Sequence, residues 1–182
     1  MFSIPRSERG FSLIELMMVV AVAGTLMVVA VPVMTDLSES SKLGAAAREV
    51  ERELQSARLK AVSANRSLRV RLNCPTTGYF RTVEVLGTSA DTATARCLLT
   101  GYPYPATDTN LMTRPNYDGP LRILPHGATV TGSTLEFRPD GTVQEIVSGA
   151  AQMIATAVTT TVTRNNESRV VTINGAGRIQ LQ

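Results

Sequence analysis

The apolar positions of this chain change their spacing twice along its 182 residues. Residues 11–34 form an almost uninterrupted apolar run in which Glu15 is the only charged residue. An α-helix of that length spans about 36 Å, which is enough to cross a bilayer. The run therefore predicts a transmembrane helix that carries one carboxylate, whose burial in lipid costs roughly 2.5–3.5 kcal/mol.

The next segment, residues 35–66, has the pattern of an amphipathic helix. Its apolar residues recur at alternating spacings of four and three: Leu43, Ala47, Val50, Leu54, Ala57 and Ala61. This spacing is typical of a helix with one buried face. We predict that the segment continues the membrane helix, with Pro32 and Gly44 as weak points, and that it ends near Asn65.

From residue 67 to residue 182 the period changes to two, which indicates β-strands. The predicted strands and hairpins lie within residues 67–73, 80–86, 121–127, 133–146, 155–164 and 168–182. Tight turns are expected at residues 139–141 and 165–168, and a long loop at residues 87–120. The predicted fold class is α+β, with one long N-terminal α-helix packed on antiparallel β-sheet in a β-rich domain formed by residues 67–182.

The two cysteines, Cys74 and Cys97, are predicted to form a disulfide if the domain is exported, because an oxidising compartment pairs free thiols. Such a bridge closes a loop of about 24 residues and is worth roughly 3 kcal/mol. His126 is the only histidine and lies far from both cysteines, so no metal site and no cofactor are predicted.

The basic residues are mostly arginine: 16 of the 18, with a net charge of +3. They are scattered along the chain, and Arg69 and Arg71 alternate with the apolar residues of one predicted strand. Scattered arginines on strands usually face solvent, and this is the favoured interpretation. A groove that binds an acidic polymer is the alternative, since arginine binds phosphate groups well.

Three interpretations of the N-terminal segment compete. A signal peptide cleaved after the triplet 21–23 fits the small-residue rule, but the apolar run continues well beyond that point. A plain signal anchor explains the length of the run but not Glu15. The third interpretation is cleavage between Gly10 and Phe11, before the apolar run. Arg6 and Arg9 favour a cytoplasmic N-terminus and an exported remainder.

The stretch RGFSLIELMMVVAVAGTLMVVAVP closely resembles the class III leader of type IV pilins and type II secretion pseudopilins. The resemblance implies that residues 1–10 are a leader removed by a prepilin peptidase after Gly10, and that Phe11 becomes the methylated mature terminus. It also implies that Glu15 recruits the subunit by pairing with the terminal amine of a neighbour. Spacing alone permits a second pairing, with the chain's own amine one helical turn away.

Three later motifs resemble the GspH/FimT-type minor pilins and pseudopilins: LQSARLKAVSANRSLRVRL, FRPDGTV and NGAGRIQ. The resemblance implies a low-copy subunit of the tip complex that primes filament assembly. Its expected partners are other major and minor pilins or pseudopilins, the prepilin peptidase, and the inner membrane before assembly. The expected location is single-pass in the inner membrane with the C-terminal domain in the periplasm, and then a filament. The favoured function is a minor pilin of a type IV pilus, which supports adhesion, twitching or DNA uptake; the alternative is a minor pseudopilin of type II secretion.

DNA binding is a further, less favoured alternative. Some members of this branch carry a C-terminal Gly-Arg-x-Arg motif that contacts DNA, and this chain has Arg178 but Gln180 at the second basic position. Losing one cation removes about one phosphate contact. Arg164 and Arg169 flank a predicted turn nearby in sequence and are candidate additional contacts. No phosphate-binding loop, zinc-protease motif or nucleophile elbow is present, so the sequence predicts no enzyme activity.

Overall fold

The computed structural model describes residues 10–98 and 117–182. Most of the predicted leader, residues 1–9, and residues 99–116 of the predicted long loop lie outside these ranges. The chain divides into two units, residues 1–39 and residues 40–182. The strands and the core described below all belong to the second unit.

One helix, α1 (Leu13–Ala64), forms the N-terminal part of the described chain, as predicted. Pro32 and Gly44, the predicted weak points, lie inside it without ending it. The helix ends in a Schellman motif: the backbone of Asn65 has a positive φ of 50°, and the Arg66 N–H donates to the Ala61 carbonyl over 3.1 Å. Asparagine tolerates this left-handed conformation better than most residues, so the helix stops where the sequence predicts.

Ten strands follow within the described ranges. They are β1 (Leu68–Leu72), β2 (Tyr79–Glu84), β3 (Arg122–Ile123), β4 (Thr129–Thr131), β5 (Thr134–Phe137), β6 (Val143–Val147), β7 (Ala150–Met153), β8 (Val158–Arg164), β9 (Glu167–Ile173) and β10 (Ile179–Leu181). A six-stranded sheet has the order β3-β2-β1-β5-β6-β7, and a four-stranded sheet has the order β10-β9-β8-β4. Every pairing is antiparallel, which confirms the predicted α+β class.

The core lies between the second half of α1 and both sheets. The six apolar positions predicted to form the buried stripe of the helix are each at most 2% exposed: Leu43, Ala47, Val50, Leu54, Ala57 and Ala61. Opposite them lie side chains of both sheets, among them Leu68, Phe80, Leu135, Phe137, Val162, Val171 and Ile173. Burying one large aliphatic side chain of this kind contributes about 1.5–3 kcal/mol. Half of the helix stripe is alanine, which lets the helix backbone approach the sheets.

Two strands were not predicted. β4 is three residues long, and β7 exposes every residue, so neither shows the half-buried alternation on which strand prediction relies. A local signal for β7 does exist, because Ser148 and Gly149 both have positive φ and form its hairpin turn with β6. The predicted turn between β8 and β9 is confirmed, with positive φ at Asn165 and Asn166.

Candidate functional site

The N-terminal part of α1 presents a largely apolar surface, interrupted by the carboxylate of Glu15. Phe11 is 83% exposed, and the leucine, methionine and valine side chains described between Leu13 and Met27 are more than half exposed. By length and composition this is a helix able to cross a membrane, with a mean hydropathy of 2.5 over its most apolar window. An exposed apolar surface of this extent requires cover by lipid or by other proteins.

Glu15 lies in the first turn of this helix and is exposed. Its backbone N–H donates to the Ser12 carbonyl over 3.1 Å. Within residues 10–98 and 117–182 its carboxylate makes no hydrogen bond or ion pair. A carboxylate in lipid needs a cationic partner, and a mature terminus at Phe11 or the terminus of a neighbouring subunit would supply one. Cleavage between Gly10 and Phe11 stays a prediction.

Cys74 and Cys97 form a disulfide with a Cα–Cα distance of 5.0 Å, as predicted. Both cysteines are 3% exposed. The bridge joins the chain just after β1 to residues 87–98, which contain two short 3-10 turns at Ser89–Thr92 and Thr94–Cys97. We call residues 87–98 the strap.

The strap carries a buried arginine, Arg96, which is 0% exposed. Its guanidinium forms a bidentate ion pair with Asp118, at 2.5 Å from Nη2 to Oδ1 and 3.1 Å from Nε to Oδ2. Nη2 also donates to the carbonyl of Glu84 over 2.7 Å, and Nη1 lies 3.4 Å from Asp91 Oδ1. Bidentate arginine–carboxylate pairs of this type, with two parallel hydrogen bonds, are among the strongest charge-assisted hydrogen bonds.

The arginines of β1 and β2 lie on the same side of the sheet as the strap. Arg81, also 0% exposed, donates to the carbonyls of Arg96 over 2.5 Å and Gly119 over 2.8 Å. Arg71 NH1 donates to the Ala93 carbonyl over 2.8 Å. Burial is the main cause that lowers the pKa of Arg71, and the neighbouring charges of Arg96 and Arg69 add to it.

The interpretation that the strand arginines face solvent is therefore wrong for Arg69 and Arg81. Arg69 is 7% exposed and pairs with Glu136 at 2.8 Å. The alternation of β1 correctly separates its two faces, but it does not reveal that a distant segment covers the polar one. The usable signals are the preference for arginine over lysine and the acidic residues Asp91 and Asp118 in the predicted loop.

A second arginine contact joins the helix to two hairpin turns. Arg58 Nε donates to the Gly141 carbonyl over 3.1 Å, and its NH2 donates to the Ala176 carbonyl over 3.2 Å. Gly177 lies against this contact with φ of +79°, and a Cβ there would collide with Arg58 and with the Gly141 carbonyl oxygen. The three motifs that resemble the GspH/FimT branch therefore meet at one place, which gives their residues a structural reason. We call Arg58, Gly141 and Ala176 the latch.

Asp140 lies in the turn beside the latch and holds that turn locally. Its side chain accepts hydrogen bonds from the Thr142 hydroxyl over 2.6 Å and from the Thr142 N–H over 2.9 Å. These bonds favour the ionised carboxylate and lower the pKa of Asp140. This is the backbone-binding role expected of aspartate in a turn.

Of the three arginines of the DNA-binding hypothesis, Arg178 lies apart from the other two. Arg164 donates from Nε to the His126 carbonyl over 2.7 Å. Arg169 lies opposite Val162 in the β8–β9 register, so it is on the helix-facing side of the four-stranded sheet. Arg178 is exposed beyond the other end of β9, about five residues or roughly 17 Å of strand from Arg169. Arg164 and Arg169 are diagonal neighbours on one face of the β8–β9 hairpin, whereas Arg178 lies far from both, and DNA binding stays a prediction centred on Arg178.

Among the described residues, no group of three or more histidine, cysteine, aspartate or glutamate side chains is arranged to hold a metal ion. The sites that sequence reasoning missed are the strap network and the latch. Both depend on contacts between residues far apart in the chain, such as the pair Arg58–Ala176 separated by 118 positions.

Comparison with solved structures finds similarity to two kinds of protein. It is similar to the type IV minor pilin FimU of Pseudomonas aeruginosa strain PAO1, with 22% identity, a TM-score of 0.49, and coverage of 80% of this chain and 92% of that one. A second crystal form of FimU gives 23% identity, a TM-score of 0.46, and coverage of 77% and 92%. The minor pseudopilin EpsH from the type 2 secretion system of Vibrio cholerae gives 14% identity, a TM-score of 0.45, and coverage of 78% and 96%.

Comparison with curated proteins gives no significant match. Two family models do match the chain. Residues 5–31 match the prokaryotic N-terminal methylation motif, and residues 46–177, more than two thirds of the chain, match type II transport protein GspH. The chain therefore belongs to the GspH family of minor pilins and pseudopilins and carries the N-terminal methylation motif ahead of that domain, which confirms the family that its sequence motifs indicate.

Proposed function

We propose that this protein is a minor pilin of a type IV pilus, incorporated in the tip complex that primes filament assembly. The observation that carries the proposal is the methylation motif at residues 5–31 directly ahead of a GspH domain. The motif includes Glu15, which has no partner within the described ranges, on a helix whose apolar surface is uncovered. Such a helix can lie in the membrane before assembly and pack in a bundle of similar helices after it.

In this proposal the prepilin peptidase cuts after Gly10, and Phe11 becomes the methylated mature terminus. The subunit waits in the inner membrane by its N-terminal helix, with residues 67–182 in the periplasm. Assembly transfers the helix from lipid into the filament core, where Glu15 pairs with a terminal amine. The pair offsets a charge that costs roughly 2.5–3.5 kcal/mol when it is alone in lipid. The role is structural, with no catalytic step.

A minor pseudopilin of a type II secretion system is the second candidate, because the matching family model is itself described as a type II transport protein. The same helix and the same glutamate serve either filament. The two candidates differ in what fails when the subunit is missing: surface pili and twitching in one case, and release of folded exoproteins in the other.

A deletion strain complemented with the wild-type chain separates them. We expect loss of surface pili and of twitching with secretion unchanged, and restoration by the wild-type chain but not by Glu15→Ala. Loss of exoprotein secretion with normal pili would support the pseudopilin instead. A strain unaffected in both assays would contradict both candidates.

A further inference from the structure

A small basic cavity lies at one end of the second unit. It has a volume of about 330 Å³ and is lined by Ser40, Ser41, Gly44 and Arg48 of α1 together with Arg169, Leu181 and Gln182 of the four-stranded sheet. Two arginines and two serines therefore border the same space, and apart from the main-chain carboxylate of the last residue, Gln182, no carboxylate lines it. This is a donor set for an oxyanion.

The two arginines of this cavity keep their charge available. In the part of the chain that the structure describes, neither Arg48 nor Arg169 makes a side-chain hydrogen bond or an ion pair, and both are exposed. Other arginines of the same unit, including Arg58, Arg81 and Arg96, are engaged with carbonyl or carboxylate oxygens. Gly44 leaves the helix side of the cavity open, because a Cβ there would meet nothing within 4 Å.

The position of the cavity along the chain indicates which oxyanion it would meet. The apolar run ends at Met34, and Ser40 follows six residues later. Six residues reach at most about 21 Å even when fully extended. Ser40 and Ser41 are therefore tethered within that reach of the lipid headgroups at the end of the apolar run, and Arg48 follows two helical turns further along α1. Phospholipid phosphates are the oxyanions present there at high local concentration, and arginine forms bidentate hydrogen bonds with phosphate.

We propose that Arg48 and Arg169, with the hydroxyls of Ser40 and Ser41, bind the phosphate of an anionic phospholipid before the subunit enters a filament. The contact holds the exported domain against the membrane surface. It is broken when the subunit leaves the membrane, so the lipid acts only on the waiting pool of subunits. The inference rests on the membrane insertion included in the proposed function.

The test uses the full mature chain in nanodiscs of phosphatidylcholine alone or of phosphatidylcholine with one third phosphatidylglycerol. Amide hydrogen exchange is followed at residues 167–170 and 180–182, which border the cavity but are remote in sequence from the membrane helix. We expect exchange there to be roughly tenfold slower with phosphatidylglycerol, because headgroup binding stabilises the folded, hydrogen-bonded state of these strands against local opening. The double variant Arg48→Ala/Arg169→Ala should lose this difference.

The matched control is Lys60→Ala/Arg138→Ala, which removes two exposed positive charges away from the cavity and should keep the difference. Equal exchange in the two lipids, or a lipid effect that survives Arg48→Ala/Arg169→Ala, would overturn the proposal. Inorganic phosphate added to the phosphatidylcholine nanodiscs should give no comparable slowing. If it does, the cavity binds free phosphate and the lipid is not its ligand.

Resistance of the chain to alkaline carbonate extraction is measured in parallel on whole membranes. Extraction would contradict membrane insertion, and with it the proposed function. A chain that resists extraction but shows no phosphatidylglycerol effect would contradict the lipid site alone.

Discussion

Arg58, on the helix, donates a hydrogen bond of 3.1 Å to the carbonyl oxygen of Gly141, which lies 83 residues further along the chain. The same guanidinium reaches the Ala176 carbonyl over 3.2 Å. Gly141 belongs to the turn between two strands of the six-stranded sheet, and Ala176 to the turn between two strands of the four-stranded sheet. One helix side chain therefore ties both sheets to the helix.

Replacing Arg58 by methionine keeps most of the aliphatic stem and removes the donors. We expect a loss of about 1–3 kcal/mol in the free energy of unfolding, because two carbonyl groups lose their partner. Urea unfolding of the mature protein in mild detergent, followed by the circular dichroism of the sheets, measures this loss. The control Arg178→Met, on an exposed neighbour, should change stability by no more than about 0.5 kcal/mol. Equal values for the two variants would show that the latch contributes nothing.

Asp118→Asn should be the most damaging single change to the strap. It leaves the Arg96 charge buried without its main counter-charge, and breaking one side of a buried pair costs about 3–5 kcal/mol. The exposed pair Arg52–Glu49, at 2.6 Å, offers a comparison, and Glu49→Gln should cost about 1 kcal/mol or less. The double variant Arg96→Met/Asp118→Leu should be milder than Asp118→Asn, since both charges of the pair are removed together, although the weaker Arg96–Asp91 contact of 3.4 Å is lost with them. If Asp118→Asn is as mild as Glu49→Gln, the strap network is not a stabilising element.

Removing the disulfide should lower the free energy of unfolding by about 3 kcal/mol, because the reduced chain gains freedom in the unfolded state. The variant Cys74→Ser/Cys97→Ser and the reduced wild type should unfold at the same urea concentration, below that of the oxidised wild type. Dithiothreitol should have no effect on the double variant. An unchanged midpoint on reduction would mean that the strap is held by its arginine contacts alone.

Glu15→Ala should leave cleavage after Gly10 largely intact and block incorporation into filaments. Incorporation should fall more than tenfold, since an unpaired charge on the partner side costs several kcal/mol. Mass analysis of the membrane-extracted chain reports the terminus at Phe11, and immunoblots of sheared filaments report incorporation. Ser12→Ala, in the same helical turn, should behave as wild type. Normal incorporation of Glu15→Ala would contradict the assigned role of this carboxylate.

DNA binding centred on Arg178 predicts a weak, strongly salt-dependent gel shift with the mature protein. Arg178→Ala should reduce the dependence of log affinity on log salt by about one phosphate contact, and Gln180→Arg should raise it by about one. Gln180 is exposed and starts from a neutral side chain, so its replacement tests the missing cation directly. No shift at low salt, or a shift indifferent to both changes, would remove this hypothesis.

Local periodicity accounts for what could be predicted from the residues. The stripe from Leu43 to Ala61 identifies the buried face of the helix, because side chains three and four apart lie on one side of a helix. The period of two identifies β1 and β2, and the asparagine pair at residues 165–166 identifies a hairpin turn. The disulfide could be predicted because only two cysteines are present. β7 is fully exposed and has no apolar face, so its one local signal is the Ser148-Gly149 turn that precedes it.

The sequence by itself determined the apolar run with its single glutamate, the helix stripe, the strand periods and the family motifs, since each is a property of neighbouring residues. Only the tertiary structure decided the fate of the arginines. It buries Arg81 beneath the strap and Arg96 within it, places Arg58 in the latch, and separates Arg164 from Arg178. The physical reason is that periodicity shows which face of a strand is apolar, whereas the cover over its polar face comes from residues far away in the chain.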